Sequence, residues 1–221
     1  DRFSAAIRPH ASVRVLTARD YGHLTKGETA TASDAATSAL NSLEAEHDYV
    51  IYVADDSLTD WSGLAVRQAD LVIGVAGHDP QNAAPVALND IEEFTHSLHT
   101  AATQRLVLVH PDNAPITGTR WWLEERSLRM HHHICIDSNE HYARLFRFIH
   151  GTAIGLVACG GGALCAAHVG LYQALIEAGV TFDIMGGTSG GAAMAAAFAM
   201  GVDTGTIERQ TQDMFVTGGA M

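Results

Sequence analysis

The pentapeptide Gly187-Thr188-Ser189-Gly190-Gly191 sets a serine among small residues in the pattern G-x-S-x-G, after an apolar run and before an alanine-rich one. Between a strand and a helix this pattern makes a sharp turn that presents the serine hydroxyl as a nucleophile. The geometry explains the residue types. Glycines on either side, Gly187 and Gly191, let the strand and helix backbones pass closely, and the helix N-terminus favours negative charge developing at the serine. A glycine-rich turn that binds nothing has the same letters, so the pentapeptide alone does not decide the matter. About 27 residues upstream, Gly160-Gly161-Gly162 also follows an apolar run and opens a helix. Successive N–H groups without side chains suit an anion, either the phosphate of a nucleotide or the oxyanion of an acyl-transfer intermediate. Consecutive parallel β-α units bring both turns to one sheet edge, which favours the oxyanion reading.

The elements that must position these residues are legible as alternating strands and helices. Strands are expected at Val13–Leu16, Tyr49–Val53, Leu71–Val75, Leu106–Val109 and Ile134–Ile136, with helices over Ser33–Glu46, Trp61–Gln68, Ile91–Leu98 and Trp121–Leu128. Near-continuous apolar strands separated by helical periodicity imply an α/β fold, here a Rossmann-like parallel sheet covered on both faces over residues 1–137. Residues 138–150 read as a connecting helix. From 151 to 221 the order is strand (Ile154–Ala158), long helix (Ala163–Ala178, stopped by Gly179), strand (Phe182–Met185), alanine-rich helix to Met200, and a last helix N-capped by Asp203.

The 221 residues carry 25 acidic and 13 basic side chains, a net charge of -12, with 47% hydrophobic residues and mean hydropathy +0.07. This composition buries a core, excludes general disorder and argues against a nucleic-acid partner. Three cysteines without a C-x-x-C pair do not form a secreted disulfide framework, and no apolar run is long enough to span a bilayer. The opening Asp1-Arg2-Phe3 and the end Val216–Met221 read as cut ends of a longer protein.

Other residues invite chemistry less strongly. On a strand, His131 and His133 of the run His131-His132-His133 share a face, but no third metal ligand is evident, and the reading is no metal and no cofactor. His168 lies inside a helix and suits packing or hydrogen bonding better than a catalytic triad. Cys159 and Cys165, flanking the glycine loop, read as small core residues. Asp55 and Asp56 end a strand where α/β folds bind ligands, though capping of the next turn is favoured. Gly22–Gly27 (GHLTKG) does not fit a phosphate-binding P-loop.

The stretch Ile154–Ala163, then Ala167–Gly170, Leu175–Val180 and Asp183–Ser189, resembles the start of a patatin-like phospholipase domain. Upstream, Asp55–Trp61 (DDSLTDW), Arg67–Asp70, Trp122-Leu123 and His131–Ile134 resemble the segment preceding that domain in the neuropathy target esterase branch and its bacterial members. The resemblance implies a serine lipid acyl hydrolase working through a Ser–Asp dyad. Ser189 would be the nucleophile, and Gly160, Gly161 and Gly162 the oxyanion hole. It also implies a phospholipid or lysophospholipid substrate, with a peripheral membrane association open to the protein, and an upstream cyclic-nucleotide-binding module in the parent protein; the sparse, odd cysteine count makes a reducing, cytoplasmic compartment the default. Two departures stand out. The dyad aspartate lies in a downstream Asp-Gly-Gly or Asp-Gly-Ala motif that does not occur after Ser189, where Gly218-Gly219-Ala220 lacks the aspartate, so the chain alone is expected to be inactive. The family loop reads G-G-G-x-R-G, whereas Leu164 and Cys165 stand at its last two positions. The alternatives are a patatin-like protein that has lost catalysis and serves interaction or regulation, and a nucleotide-binding α/β module.

Overall fold

The computed structural model describes residues 1–24, 34–79, 81, 84–111 and 116–213. Positions 25–27 of GHLTKG, Ser33, Gly218-Gly219-Ala220 and the segment Val216–Met221 lie outside the described residues. The fold is mixed α/β with parallel strands throughout. It divides into two compact units, between Phe146 and Arg147.

In the first unit, β1 (Val13–Leu16) pairs with β2 (Tyr49–Tyr52), and β3 (Val72–Gly77), β4 (Gln104–His110) and β5 (Met130–Cys135) pair in that order. The expected single sheet is therefore two hydrogen-bonded groups, with no ladder joining them among the described residues. An apolar run encodes a strand's burial but not which neighbour its edge will bond, so the grouping was not readable from the pattern. Nor are all strands covered on both faces. Leu106, Val107 and Leu108 of β4 are buried, whereas Val75 of β3 is 67% exposed.

Helices α1 (Arg2–Ile7), α2 (Ala18–Leu24), α3 (Asp34–Glu46), α4 (Asp60–Gln68), α5 (Asp90–Leu98), α6 (Arg120–Leu123) and α7 (Asn139–His150) complete the order, with the unit boundary falling inside α7. Leu16, Tyr21, Leu40, Trp61 and Ala65 form one core cluster, and Trp61 Nε1 donates to Val53 O at 2.8 Å. Asn89 and Glu92 form a reciprocal capping box at the start of α5. α6 is much shorter than the expected helix Trp121–Leu128. The chain leaves the helix after Leu123 and buries the Arg126 guanidinium. That group donates to Val86 O, Ala87 O and Trp122 O and pairs with Glu92 at 2.7 Å. Removing one partner of such a pair would strand a buried charge.

The second unit runs β6 (Gly155–Ala158), a 3-10 turn (Gly162–Ala166), α8 (Ala167–Glu177), β7 (Ile184–Gly187), α9 (Gly190–Ala199) and α10 (Thr204–Gln212). The expected helix from Ala163 thus begins as a 3-10 turn. β6 and β7 pair in parallel, Gly155 opposite Ile184 and Ala158 opposite Gly187, so the turns that follow them meet at one edge. Leu156 and Met185 face a core of Cys165, Val169, Met194, Phe198 and Ile207, while Val157 faces out. The Tyr172 ring stacks on Phe198 with centroids 4.1 Å apart. The starts of β6 and β7 are tied together by the fully buried Asp183 carboxylate, which accepts from Arg147 Nη2 at 2.6 Å and from Ile154 N at 3.0 Å. Asp203 caps α10 by accepting from Thr206 N. No helix among the described residues is long and apolar enough to cross a membrane.

Candidate active site

Ser189 stands between the end of β7 and the start of α9 with φ 51° and ψ -130°. Among the described residues it is the one non-glycine residue with positive φ. Such a conformation costs about 1–3 kcal/mol and persists only where the surroundings over-determine it. The surroundings here are backbone. A Cβ at Gly191 would lie 2.3 Å from Cys159 O and 2.4 Å from Ala158 O, and one at Gly187 would lie 2.6 Å from Gly191 O. The first turn of α9 therefore rests directly on the end of β6. Thr188 N donates to Ala158 O at 3.1 Å, and Ala192 N to Ser189 O at 2.9 Å. Ser189 is exposed.

The glycine loop lies against this turn. A Cβ at Gly160 would sit 3.2 Å from Ser189 Cβ and 3.3 Å from Thr188 O, so only a glycine leaves the serine unobstructed there. The Gly160 N–H is engaged, donating to Thr188 Oγ1 at 3.1 Å. No hydrogen bond from the N–H of Gly161 or Gly162 is present among the described residues. Gly162 has φ 55°, a left-handed conformation that favours glycine.

Cys165 accommodates its side chain without positive φ. Its thiol is buried in the core and donates to Cys159 O at 3.5 Å. The same thiol is why the next position of the turn is small, since a Cβ at Gly190 would lie 2.9 Å from Cys165 Sγ. Leu164, where the resemblance implies a cation, is 81% exposed. Cys159 is exposed rather than a core residue. His168 on α8 donates through Nε2 to Cys159 O at 2.9 Å and makes no hydrogen bond to Ser189. Among the described residues no carboxylate or imidazole hydrogen-bonds Ser189 Oγ.

The other candidates lie in the first unit. Asp55 accepts from Thr59 Oγ1 at 2.7 Å, and its N–H donates to Ser62 Oγ, organising the turn into α4. His131 and His133 share a face of β5 with ring centroids 5.8 Å apart, and His133 also lies 5.2 Å from the His78 ring. Burial, reinforced by neighbouring cationic and imidazole groups, lowers the pKa of both His132 and His133 to about 4. Among the described residues no three His, Cys, Asp or Glu side chains are grouped to hold a metal ion. Sequence reasoning missed the Thr188 hydroxyl, because G-x-S-x-G treats that position as free.

Fold and site together define a two-unit parallel α/β protein with a serine at a strained strand-to-helix turn, beside a loop of glycine amides. The chain belongs to the neuropathy target esterase family. Residues 29–154 match the Neuropathy Target Esterase family P-loop like domain, and residues 156–217 match the patatin-like phospholipase model. The chain is 35% identical over 192 residues to the mouse patatin-like phospholipase domain-containing protein 7, with 74% of the chain and 14% of that protein covered. It is 32% identical over 188 residues to the neuropathy target esterase sws of Drosophila willistoni (72% and 12% covered). Over 178 residues it is 35% identical to an uncharacterized NTE family protein of Mycobacterium bovis (78% and 27% covered). The chain thus spans between 12% and 27% of the length of these relatives. No solved structure matches it at a significant level.

Proposed function

We propose that this chain carries the nucleophile and oxyanion hole of a serine lipid acyl hydrolase that cleaves ester bonds of phospholipids or lysophospholipids. One observation carries the reading: a serine held at φ 51° by glycine–backbone contacts, next to the Gly161 and Gly162 amides, which have no hydrogen-bond partner among the described residues. Family membership and the relatives named as patatin-like phospholipase and neuropathy target esterase support it. In this reading Ser189 Oγ attacks the ester carbonyl and an aspartate takes its proton. The carbonyl oxygen becomes an anion facing the glycine amides and the N-terminus of α9, where fixed N–H dipoles stabilise it. Collapse expels the alcohol and leaves an acyl-serine, which water then hydrolyses to the fatty acid. The aspartate would come from an Asp-Gly-Gly or Asp-Gly-Ala motif, absent from this sequence after Ser189. A lipid surface to which the protein is peripheral is the setting in which such a substrate is met.

The test is hydrolysis of a short-chain p-nitrophenyl ester and of a lysophospholipid by the complete reading frame, beside its Ser189→Ala variant. Activity that falls to background in the variant is the expected result. Equal rates in both proteins, or no hydrolysis of either substrate by the folded protein, would overturn the proposal.

A further inference from the structure

We infer that Thr188 and His168 are positioning residues that lock the Cys159–Gly160 peptide, and so leave the amides of Gly161 and Gly162, not that of Gly160, to bind the oxyanion. This inference rests on the hydrolase reading above.

The Cys159 carbonyl and the Gly160 N–H belong to one rigid peptide plane and point to opposite sides of it. Each end is held by a different element. His168 Nε2, on α8, donates to Cys159 O at 2.9 Å, and Thr188 Oγ1, on the serine turn, accepts from Gly160 N at 3.1 Å. The Cys165 thiol adds a second, weaker donor to Cys159 O at 3.5 Å. Three successive glycines otherwise allow either hand of backbone, so a free plane could turn over and re-aim every amide after it. Turning it over here requires all three bonds to break.

The lock is also coupled to the nucleophile. Thr188 immediately precedes Ser189, and the Cβ position of Gly160 lies 3.2 Å from Ser189 Cβ. Whatever holds Ser189 at φ 51° therefore also places the acceptor for Gly160. The Gly160 amide is used for this purpose, while those of Gly161 and Gly162 have no partner among the described residues.

The experiment compares Thr188→Val, which keeps the shape and removes the acceptor, with Thr188→Ser, which keeps the hydroxyl. It also compares His168→Ala with His168→Gln, which keeps a donor. All are made in the complete reading frame, beside Ser189→Ala. Thr188→Val and His168→Ala are expected to lower kcat roughly ten- to a hundredfold with KM little changed. Misplacing a group has that scale of effect, and it falls short of the ~100–1000-fold for deleting an oxyanion donor. Thr188→Ser and His168→Gln restore most of the rate. Hydrogen exchange of the Gly160 amide gives a readout that needs no turnover. It is expected to quicken in Thr188→Val and not in Thr188→Ser, with the α9 amides unmoved. Unchanged kcat or unchanged Gly160 exchange in Thr188→Val would overturn the lock. So would a rate above wild type, which would mean that Thr188 withholds a donor. Full activity in Ser189→Ala would instead overturn the hydrolase reading, and Gly160 exchange would still decide the lock.

Discussion

Replacing Ser189 with glycine removes a side chain at the one described non-glycine position with positive φ. Ser189→Ala deletes the same hydroxyl but keeps a Cβ at φ 51° and ψ -130°, so the pair isolates the backbone strain. Relief of that strain is worth about 1–3 kcal/mol. Glycine returns about 0.4–1 kcal/mol of this through the greater freedom of its unfolded chain. Ser189→Gly should therefore exceed Ser189→Ala in stability by about 1–2 kcal/mol. For a unit of this size each kcal/mol raises Tm by about 4–8 °C. Thermal unfolding followed by circular dichroism measures the difference, and hydrogen exchange of α8 and α9 amides assigns it to the second unit. Both variants lose the hydroxyl, so a stabilised, inactive Ser189→Gly protein is the signature of a turn strained for function. A glycine variant no more stable than the alanine variant would refute the reasoning, since the turn would then hold its shape without strain.

Further outcomes follow from the same geometry. Gly191→Ala places a methyl 2.3–2.4 Å from the carbonyl oxygens of Cys159 and Ala158, which are backbone and cannot give way. The second unit should lose more than about 3 kcal/mol or fail to fold, and retention of wild-type hydrogen-exchange protection in α9 would contradict the packing. His132, 7% exposed, has its pKa lowered from 6.5 to about 4, first by desolvation and then by Arg144, Arg105 and His131; His133 is lowered to about 4 as well. The unfolded state binds more protons between these values, so stability is complete above about pH 6.5 and falls as pH drops towards about 4, by on the order of 3 kcal/mol for His132. Urea midpoints followed by tryptophan fluorescence should fall across that window and flatten in His132→Phe. Equal slopes in the two proteins would exclude His132 as the source.

Local periodicity carried most of the element order. Most of the strands are short apolar runs bounded by turn residues, and Asp203 and Gly179 mark helix ends by their own chemistry; β5 is the exception, since it covers Met130–Cys135 instead of the expected Ile134–Ile136 and gains its histidines by pairing along β4. Where the reading failed, a distant partner was responsible. The helix expected to run from Trp121 to Leu128 stops at Leu123, where the chain turns to seat Arg126 against Glu92, 34 residues away in sequence. The helix expected from Ala163 opens as a 3-10 turn that sends the buried Cys165 thiol against Gly190, 25 residues away. Grouping of the first unit's strands into a pair and a triple depends on edges that an apolar run does not distinguish.

The sequence by itself determined which residues can stand close together. Glycines at 160–162, 187 and 191 are the residue types that tolerate backbone contact and left-handed turns, and their spacing places both turns after neighbouring parallel strands. Only the tertiary structure decided what each group does there. The φ of Ser189, the seat of Cys165 beneath Gly190, and the engagement of Gly160 by Thr188 all arise between segments 25 to 33 residues apart. They depend on sub-ångström backbone placement once β6, β7, α8 and α9 have packed. Residue type sets what a position permits, whereas hydrogen-bond direction and steric contact exist only after the chain has closed on itself.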